Sequence, residues 1–427
     1  MRADETIFAL SSGRPPAAVA VIRSSGPRAI AAGDALAGRL PAARRVALRE
    51  LRDPRSGERI DEALVLRFDG PASATGEDVV EYQCHGGRAV VDAVLGALAA
   101  LPGMRLAEPG EFTRRAFANG RIDLTEAEGL ADLLEAETES QRRAALMMAE
   151  GGLRRQIEAW RQQLVELSAR AEAAIDYVGD EDETAADEAA LADEAKALAS
   201  ELGEWLARPR AEPLKEGVRV VVAGPPNAGK SSLVNALAES DRAIVTDIAG
   251  TTRDAIEVPL AIGGVPILLI DTAGLRDSED TVEAMGITRA ENQINRADIV
   301  LWLGDPAEAP SHARLTKIHA QADRRGDAVE GSLPVSAVTG VGLADLSRHI
   351  VMEARQLLPV DGEMALNRRQ ASELTEAQGA LAGAKDADLV RTAEALRLAR
   401  SAFDRLSGRA GMEEMLDALF GRFCLGK

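Results

Sequence analysis

Nine consecutive residues, Gly224-Pro-Pro-Asn-Ala-Gly-Lys-Ser-Ser232, hold the densest chemistry in the sequence. They fit G-x-x-x-x-G-K-S between the apolar runs Val218-Arg-Val-Val-Val222 and Leu233-Val-Asn-Ala-Leu237, the setting of a phosphate-binding strand-to-helix turn. In such a turn, backbone N–H groups and the helix N-terminus cradle phosphates. Lys230 then neutralises the β and γ oxygens and Ser231 offers its hydroxyl to Mg²⁺. Asn227, Ala228, Gly229, Lys230, Ser231 and Ser232 are therefore the expected nucleotide contacts from this stretch.

A second element, Val265-Pro-Ile-Leu-Leu-Ile-Asp-Thr-Ala-Gly274, is an apolar strand ending in D-x-x-G, and Asp271 lies about forty positions after the phosphate-turn Lys230. Asp271 is expected to hold Mg²⁺ through water and the Gly274 amide to reach the γ-phosphate, with Thr272 and Ala273 completing the turn. Between the two elements lies Asp247-Ile-Ala-Gly-Thr-Thr-Arg-Asp254. There Thr251 and Thr252, with Thr246 just upstream, are expected in a loop that orders only while the γ-phosphate is present. Plain loop hydroxyls are the alternative. For the base, GTPases usually carry Asn-Lys-x-Asp, and the corresponding stretch here is Ala320-Gln-Ala-Asp323. Only Asp323, the acceptor for guanine N1 and N2, survives. Ser336 and Ala337 in Val335-Ser-Ala-Val-Thr-Gly-Val-Gly342 are expected beside the base. The nucleotide is read as GTP, and the degenerate motif leaves the affinity and selectivity for guanine open. Many Ras-like GTPases place Gln after D-x-x-G to orient water, whereas this chain has Leu275. The polar substitute must come from elsewhere, and Arg253, Asp254, Arg276 and Glu283 are the candidates, with ordinary surface charge the competing reading.

These motifs need positioning, and the 427 residues are enough for two or three domains. Residues 1–118 mix strand-like runs with a helix at Ala89–Leu101 and suggest a compact α+β domain. Residues 119–213 and 359–427 carry helical spacing. The first run is expected to be a long helical pair or bent helix broken mainly at Gly151-Gly152, followed by an acidic loop at Gly179-Asp-Glu-Asp-Glu-Thr184 that becomes another helix. Residues 214–358 alternate strand and helix as a parallel sheet requires. The simplest organisation is one helical domain split in sequence by an inserted α/β domain. The segment between Trp302 and Pro334 is short, so loops framing the base are expected to be trimmed.

A net charge of -19 argues against coating nucleic acid by charge alone, so any RNA contact must be local or shared with a partner. The two cysteines, Cys84 and Cys424, give neither a disulfide framework nor metal-ligand spacing, and fit a reducing compartment. Cys84 and His85 are adjacent without further ligands, so a metal site is not expected there. The N-terminus lacks the apolar core of a signal peptide, and no apolar run approaches the roughly 18 residues of a membrane span. A cytoplasmic protein is expected.

Taken together, GPPNAGKSS, DIAGTTRD, DTAGLR with Glu283 downstream, and the terminal Phe423-Cys-Leu-Gly-Lys427 resemble the MnmE (TrmE) family of tRNA modification GTPases. The similarity extends to Thr75-Gly-Glu-Asp-Val-Val-Glu81, Cys84-His-Gly-Gly87 and Pro109-Gly-Glu-Phe-Thr113. The resemblance implies an N-terminal folate-binding and dimerising α+β domain, a discontinuous helical domain and an inserted Ras-like P-loop G domain. It further implies K⁺-stimulated GTP hydrolysis when two G domains meet. The family works with the FAD-dependent protein MnmG, in a heterotetramer or larger complex, to add an aminomethyl-type group at C5 of the wobble uridine of certain tRNAs. The one-carbon unit comes from 5,10-methylene- or 5-formyl-tetrahydrofolate.

Carried over by matched positions, Asn227, the main-chain oxygens of Thr246 and Ile248, and Thr251 coordinate K⁺. Ser231 and Thr252 hold Mg²⁺, and Glu283 positions the attacking water. Arg23, Glu81 and Arg121 contact folate with Lys427 nearby, Arg121 standing where the family often has Lys. Read from the residues alone, Arg23 and Glu81 are structural charges on a sheet edge. Cys424 is either a buried apolar residue or a thiol beside folate and base. A GTPase switch in ribosome assembly without tRNA chemistry is the competing class, disfavoured because such proteins usually append a basic RNA-binding domain.

Overall fold

The computed structural model describes residues 5–176, 181–240, 242–243, 256–272, 291–326, 329–360, 362–386, 388–410, 413–421, 423 and 426. By its contacts the chain divides into two compact units, residues 1–131 with 407–427, and residues 132–406.

The first unit is built on a six-stranded sheet in the order β3-β4-β5-β2-β1-β6. Its strands are β1 (Thr6–Leu10), β2 (Val19–Ser25), β3 (Val46–Arg52), β4 (Arg59–Phe68), β5 (Val79–His85) and β6 (Met104–Leu106). All neighbours are antiparallel except β1 and β6. The expected strands and the helix near Ala89 are present, the latter as α2 (Arg88–Ala99), with α1 (Ala29–Ala37) beside it. Both helices bury small and branched residues against Phe8, Ile22, Val65, Val80 and Tyr82. Each fully buried side chain of that size contributes about 1.5–3 kcal/mol of transfer free energy. Strand β5 alternates, with Tyr82 and Cys84 inside and His85 exposed, so adjacent Cys84 and His85 point to opposite faces. Burial pushes the Cys84 thiol up from its ordinary pKa, as a structural thiol requires. His85 instead meets Asp61 at 2.8 Å through Nδ1.

The sequence motifs of this unit hold its loops together. Gly110 has φ +69°, and a Cβ there would run into the carbonyl oxygen of Phe420. It starts α3 (Glu111–Ala118), which places Glu111 and Phe112 inside. Thr75 Oγ1 lies 2.7 Å from Ser25 Oγ, and the Glu77 carboxylate accepts from Ser25 at 2.7 Å.

The helical run after Leu124 is three helices rather than a pair or one bent helix: α4 (Leu124–Glu135), whose residues up to 131 belong to the first unit, and, in the second unit, α5 (Glu139–Ala149) and α6 (Gly152–Asp176). The additional break has a local cause. Thr138 caps α5 in a reciprocal box with Gln141, whose Oε1 accepts from Thr138 N at 2.9 Å. The Gln141 Nε2 donates onward to the Leu214 and Lys215 carbonyls at 3.1 and 3.3 Å, in α8 (Glu212–Glu216). The acidic stretch expected to begin as a loop is helical from Glu181, in α7 (Glu181–Leu206). Carboxylates are favoured at a helix N-terminus, which is why acidity there did not mean loop. The helical core joins Trp160, Leu164, Leu202 and Trp205 to Leu374, Leu396 and Phe403. These come from both sides of residues 214–358, so the helical domain is discontinuous and the α/β domain is inserted in it.

The inserted domain has a seven-stranded sheet, β13-β12-β11-β7-β10-β9-β8. Strand β7 (Val218–Ala223) lies at its centre and is flanked in parallel by β10 (Val265–Asp271) and β11 (Ile299–Trp302). Burial on both faces explains its apolar run, which only the half-buried Arg219 interrupts. Strands β9 (Ile256–Ile262) and β8 (Arg242–Ala243) add antiparallel, and β12 (Leu315–Ala320) and β13 (Leu333–Val335) add parallel. Between β11 and β12 there is only a 3-10 turn at Pro306–Glu308, in keeping with the short segment noted in the sequence. Among the described residues, no helix is long and apolar enough to cross a membrane.

Candidate nucleotide-binding site

Strand β7 delivers the chain into the Gly224–Gly229 turn, and α9 (Lys230–Ser240) leaves it. The turn requires its glycines. Gly224 has φ +149° with Leu303 and Gly304 3.2–3.3 Å from the position of an added Cβ, and Gly229 has φ +95°. Asn227 is left-handed at φ 59°, a conformation Asn tolerates better than most side chains.

Lys230 is buried, and its ammonium donates to the carbonyls of Gly224 and Pro225 at 3.0 and 2.8 Å. Its charge is thus placed in the mouth of the turn, where phosphate oxygens are expected. Ser231 Oγ donates to Asp271 Oδ2 at 2.6 Å, so β7 and β10 bring the two motif residues together from forty positions apart. A hydroxyl and a carboxylate oxygen meeting at the end of a phosphate turn are a hard donor set that fits Mg²⁺. Thr272 turns its hydroxyl away, to the Val222 carbonyl at 2.9 Å, and serves the turn rather than the ligand.

A cavity of about 270 Å³ opens beside the turn, lined among others by Gly229, Ser232, Gln321, Asp323, Arg324 and Ala337. The residues expected to frame the base are therefore adjacent to those expected to hold the phosphates. Ser336 Oγ donates to Asp323 Oδ1 at 2.5 Å. That hydrogen bond, aided by Arg324, holds the Asp323 carboxyl below its ordinary pKa. Asp323 is thus an ionised acceptor at neutral pH, as recognition of two purine N–H groups demands. Ala320 is buried and offers no side-chain polar group. Gln321, at φ 58°, reaches back to the Asn227 carbonyl at 3.4 Å and so ties the base loop to the phosphate turn. This tie was not read from the sequence, since a glutamine in a degenerate motif gives no signal of its partner.

Thr246, Ile248, Thr251, Thr252, Arg253, Asp254, Ala273, Gly274, Arg276, Glu283, Cys424 and Lys427 lie outside the described residues.

In the first unit, Arg23 and Glu81 are register partners across β2 and β5, and Arg23 Nε donates to Glu81 Oε1 at 2.8 Å. These are interior strands, so the sheet-edge reading is corrected: a neighbouring strand flanks each on its far side. The Arg23 guanidinium lies 5.8 Å from the centre of the Phe112 ring. Arg121 packs by its side chain near Gly76, in the loop leading to β5. Missed by the sequence reading is a second, more buried cluster. Glu111 accepts from Arg105 at 2.6 Å and Arg115 at 3.1 Å, and Arg115 pairs with Glu77 at 3.1 Å.

The family matching residues 6–121 is the GTP-binding protein TrmE N-terminus, and that matching residues 124–424 is the MnmE helical domain. The chain is 55% identical over 425 residues to the tRNA modification GTPase MnmE of Erythrobacter litoralis, covering 99% of this chain and 100% of that one. This chain belongs to the MnmE family of tRNA modification GTPases. The MnmE of Novosphingobium aromaticivorans is 53% identical over 435 residues, and that of Zymomonas mobilis 51% over 433, each covering 99% of this chain and all of its own. Membership of the MnmE family accounts for the N-terminal and helical domains and for a GTPase domain in the same chain.

Proposed function

We propose that the chain is a K⁺-dependent GTP hydrolase which, with an MnmG-type FAD-dependent partner, modifies C5 of the wobble uridine of certain tRNAs using a tetrahydrofolate one-carbon unit. The observation that carries the reading is the composition of the phosphate turn. A left-handed Asn227, an inward Lys230 and Ser231 share one stretch of backbone, and Asp271 meets Ser231 from the end of β10. The Asn227 amide oxygen is a hard neutral ligand of the kind K⁺ takes, and a cation there supplies positive charge at the phosphates that an arginine supplies elsewhere. Ser231 is assigned to Mg²⁺ with Thr252. Lys230 neutralises phosphate charge, and Asp323 orients the base. Thr246, Ile248 and Thr251 are assigned to K⁺, and Glu283 to the attacking water.

Folate is assigned to the N-terminal unit through Arg23, Glu81, Arg121 and Lys427. A salt-bridged Arg23 against an aromatic ring is a surface suited to a planar heterocycle with a carboxylate tail. A homodimer through residues 1–118 is supported by exposed Val46, Leu48 and Leu64 on the open face of β3 and β4. Residues 119–213 and 359–427 then form the helical domain, and residues 214–358 the G domain.

The test is GTP hydrolysis in KCl against NaCl at matched ionic strength, with ATP as the competing nucleotide. A K⁺-selective GTPase is expected, and Asn227→Ala is expected to lose K⁺ stimulation by about 10²-fold while still binding GDP. A K⁺ response equal to wild type in that variant removes Asn227 from the cation site.

A further inference from the structure

An acidic chain that acts on RNA needs a local place for phosphates, and residues 39–49 supply four arginines and no acidic residue in a protein of net charge -19. Arg39 follows α1, Arg44 and Arg45 precede β3, and Arg49 lies within it. Arg39, Arg44 and Arg45 are exposed. Arg49 donates to the Arg39 and Leu48 carbonyls at 3.0 and 2.8 Å, and Arg44 donates to the Ala72 carbonyl. The guanidinium groups of Arg39 and Arg45 make no hydrogen bond to a described residue, and none of the four pairs with a described carboxylate. The nearby Asp34 accepts from the Leu40 N–H at 3.0 Å.

The other arginines of the same hairpin behave differently. Arg52 pairs with Glu50 at 2.5 Å, Arg55 with Asp53 at 2.7 Å, Arg59 with Glu50 at 3.6 Å and Arg67 with Asp69 at 2.6 Å. Ordinary surface arginines here find carboxylates, and the run from 39 to 49 does not. Alternation along β3 also separates this run from the apolar strip. Val46, Leu48 and Glu50 are exposed on one face, whereas Arg49 shares the parity of buried Leu51. A second copy covering Val46 and Leu48 therefore does not cover Arg49, which lies on the other face of β3.

We propose that Arg39, Arg44, Arg45 and Arg49 form a phosphate-backbone contact surface for tRNA on the N-terminal unit. Arginine is suited to this because its planar fork donates two hydrogen bonds to phosphate and keeps its charge at any physiological pH. Such contacts position RNA without reading its sequence. The inference rests on the tRNA-modifying reading above, and its test separates the two.

Full-length Arg39→Ala/Arg45→Ala protein is compared with wild type for binding fluorescent tRNA transcript across a KCl series. The expected result is affinity lower by about tenfold and a slope of log K against log salt smaller by about one to two. GTP hydrolysis without tRNA stays at the wild-type rate, and Arg52→Ala/Arg55→Ala, whose arginines are already paired, binds tRNA as wild type does. Unchanged affinity and slope in the first variant overturn the surface. So does a change confined to dimerisation in sedimentation, which makes it a contact between copies. Wild-type protein that hydrolyses GTP but binds no tRNA also overturns the surface, whereas loss of K⁺-stimulated hydrolysis in wild type overturns the parent reading.

Discussion

The nucleotide site and the N-terminal pair are both charged, yet they are made in opposite ways. In the G domain one short stretch supplies Asn227, Gly229, Lys230 and Ser231, and the Lys230 ammonium rests on carbonyls of its own turn at 2.8–3.0 Å. In the N-terminal unit, Arg23 and Glu81 stand 58 positions apart and meet only because β2 pairs with β5. The first arrangement is a backbone shape with side chains placed for a ligand. The second is a set of charges that satisfy one another and hold the sheet and loops together as well as any ligand. A substitution in the first should therefore cost activity more than stability, and in the deep cluster of the second stability more than activity.

Lys230→Ala sets the largest difference. Removing the cation from the phosphate turn is expected to slow GTP hydrolysis by at least about 10²–10³-fold, with the circular dichroism melt close to wild type. A melt that collapses along with activity erases the distinction between the two sites, because the turn would then be supporting the sheet. A smaller effect is expected at the base. Asp323→Ala leaves two guanine N–H donors without an acceptor, so the Kd for GDP should rise about ten- to a hundredfold while ATP competition is unchanged. Equal affinity in wild type and variant, read by titration of a fluorescent guanine nucleotide, removes Asp323 from base recognition.

The same contrast explains how much of the molecule was legible in its sequence. The phosphate turn was readable because its chemistry lies in backbone conformation, and residues such as Gly224 and Gly229 have few substitutes at their positive φ. Asp271 was readable because an apolar strand ends on it. The tie from Gln321 to Asn227, the break before α5 and the Glu77–Arg115–Glu111 cluster were not, since each depends on which segments the fold brings together. The break before α5 shows the limit well. Thr138 and Gln141 are at capping-box spacing, but helical periodicity continues on both sides of them, and the partners of the other end of Gln141, the carbonyls of Leu214 and Lys215, come from a distant segment. The N-terminal motifs were visible as strings and silent as mechanism: Gly110 is required by the Phe420 carbonyl, which lies at the far end of the chain.

The smallest effect tests the stability side of the comparison, at Glu111. Burial raises its carboxyl pKa, but hydrogen bonds from Arg105, the Glu108 N–H and Arg115 outweigh that and hold it below the ordinary value of 4.5. A group depressed in the folded state contributes stability above its unfolded pKa and loses it as pH falls through the folded value. The wild-type melting temperature should therefore decline on acidification below about pH 4.5, and Glu111→Gln should remove part of that decline, about 1 kcal/mol, while lowering stability at neutral pH. GTP hydrolysis at neutral pH should stay near wild type, because none of Arg105, Arg115 or Glu77 belongs to the phosphate turn. Melts from pH 7 to 3 with parallel GTPase assays decide it. A variant with unaltered pH dependence would show that this cluster is not where the N-terminal unit stores its charge-dependent stability.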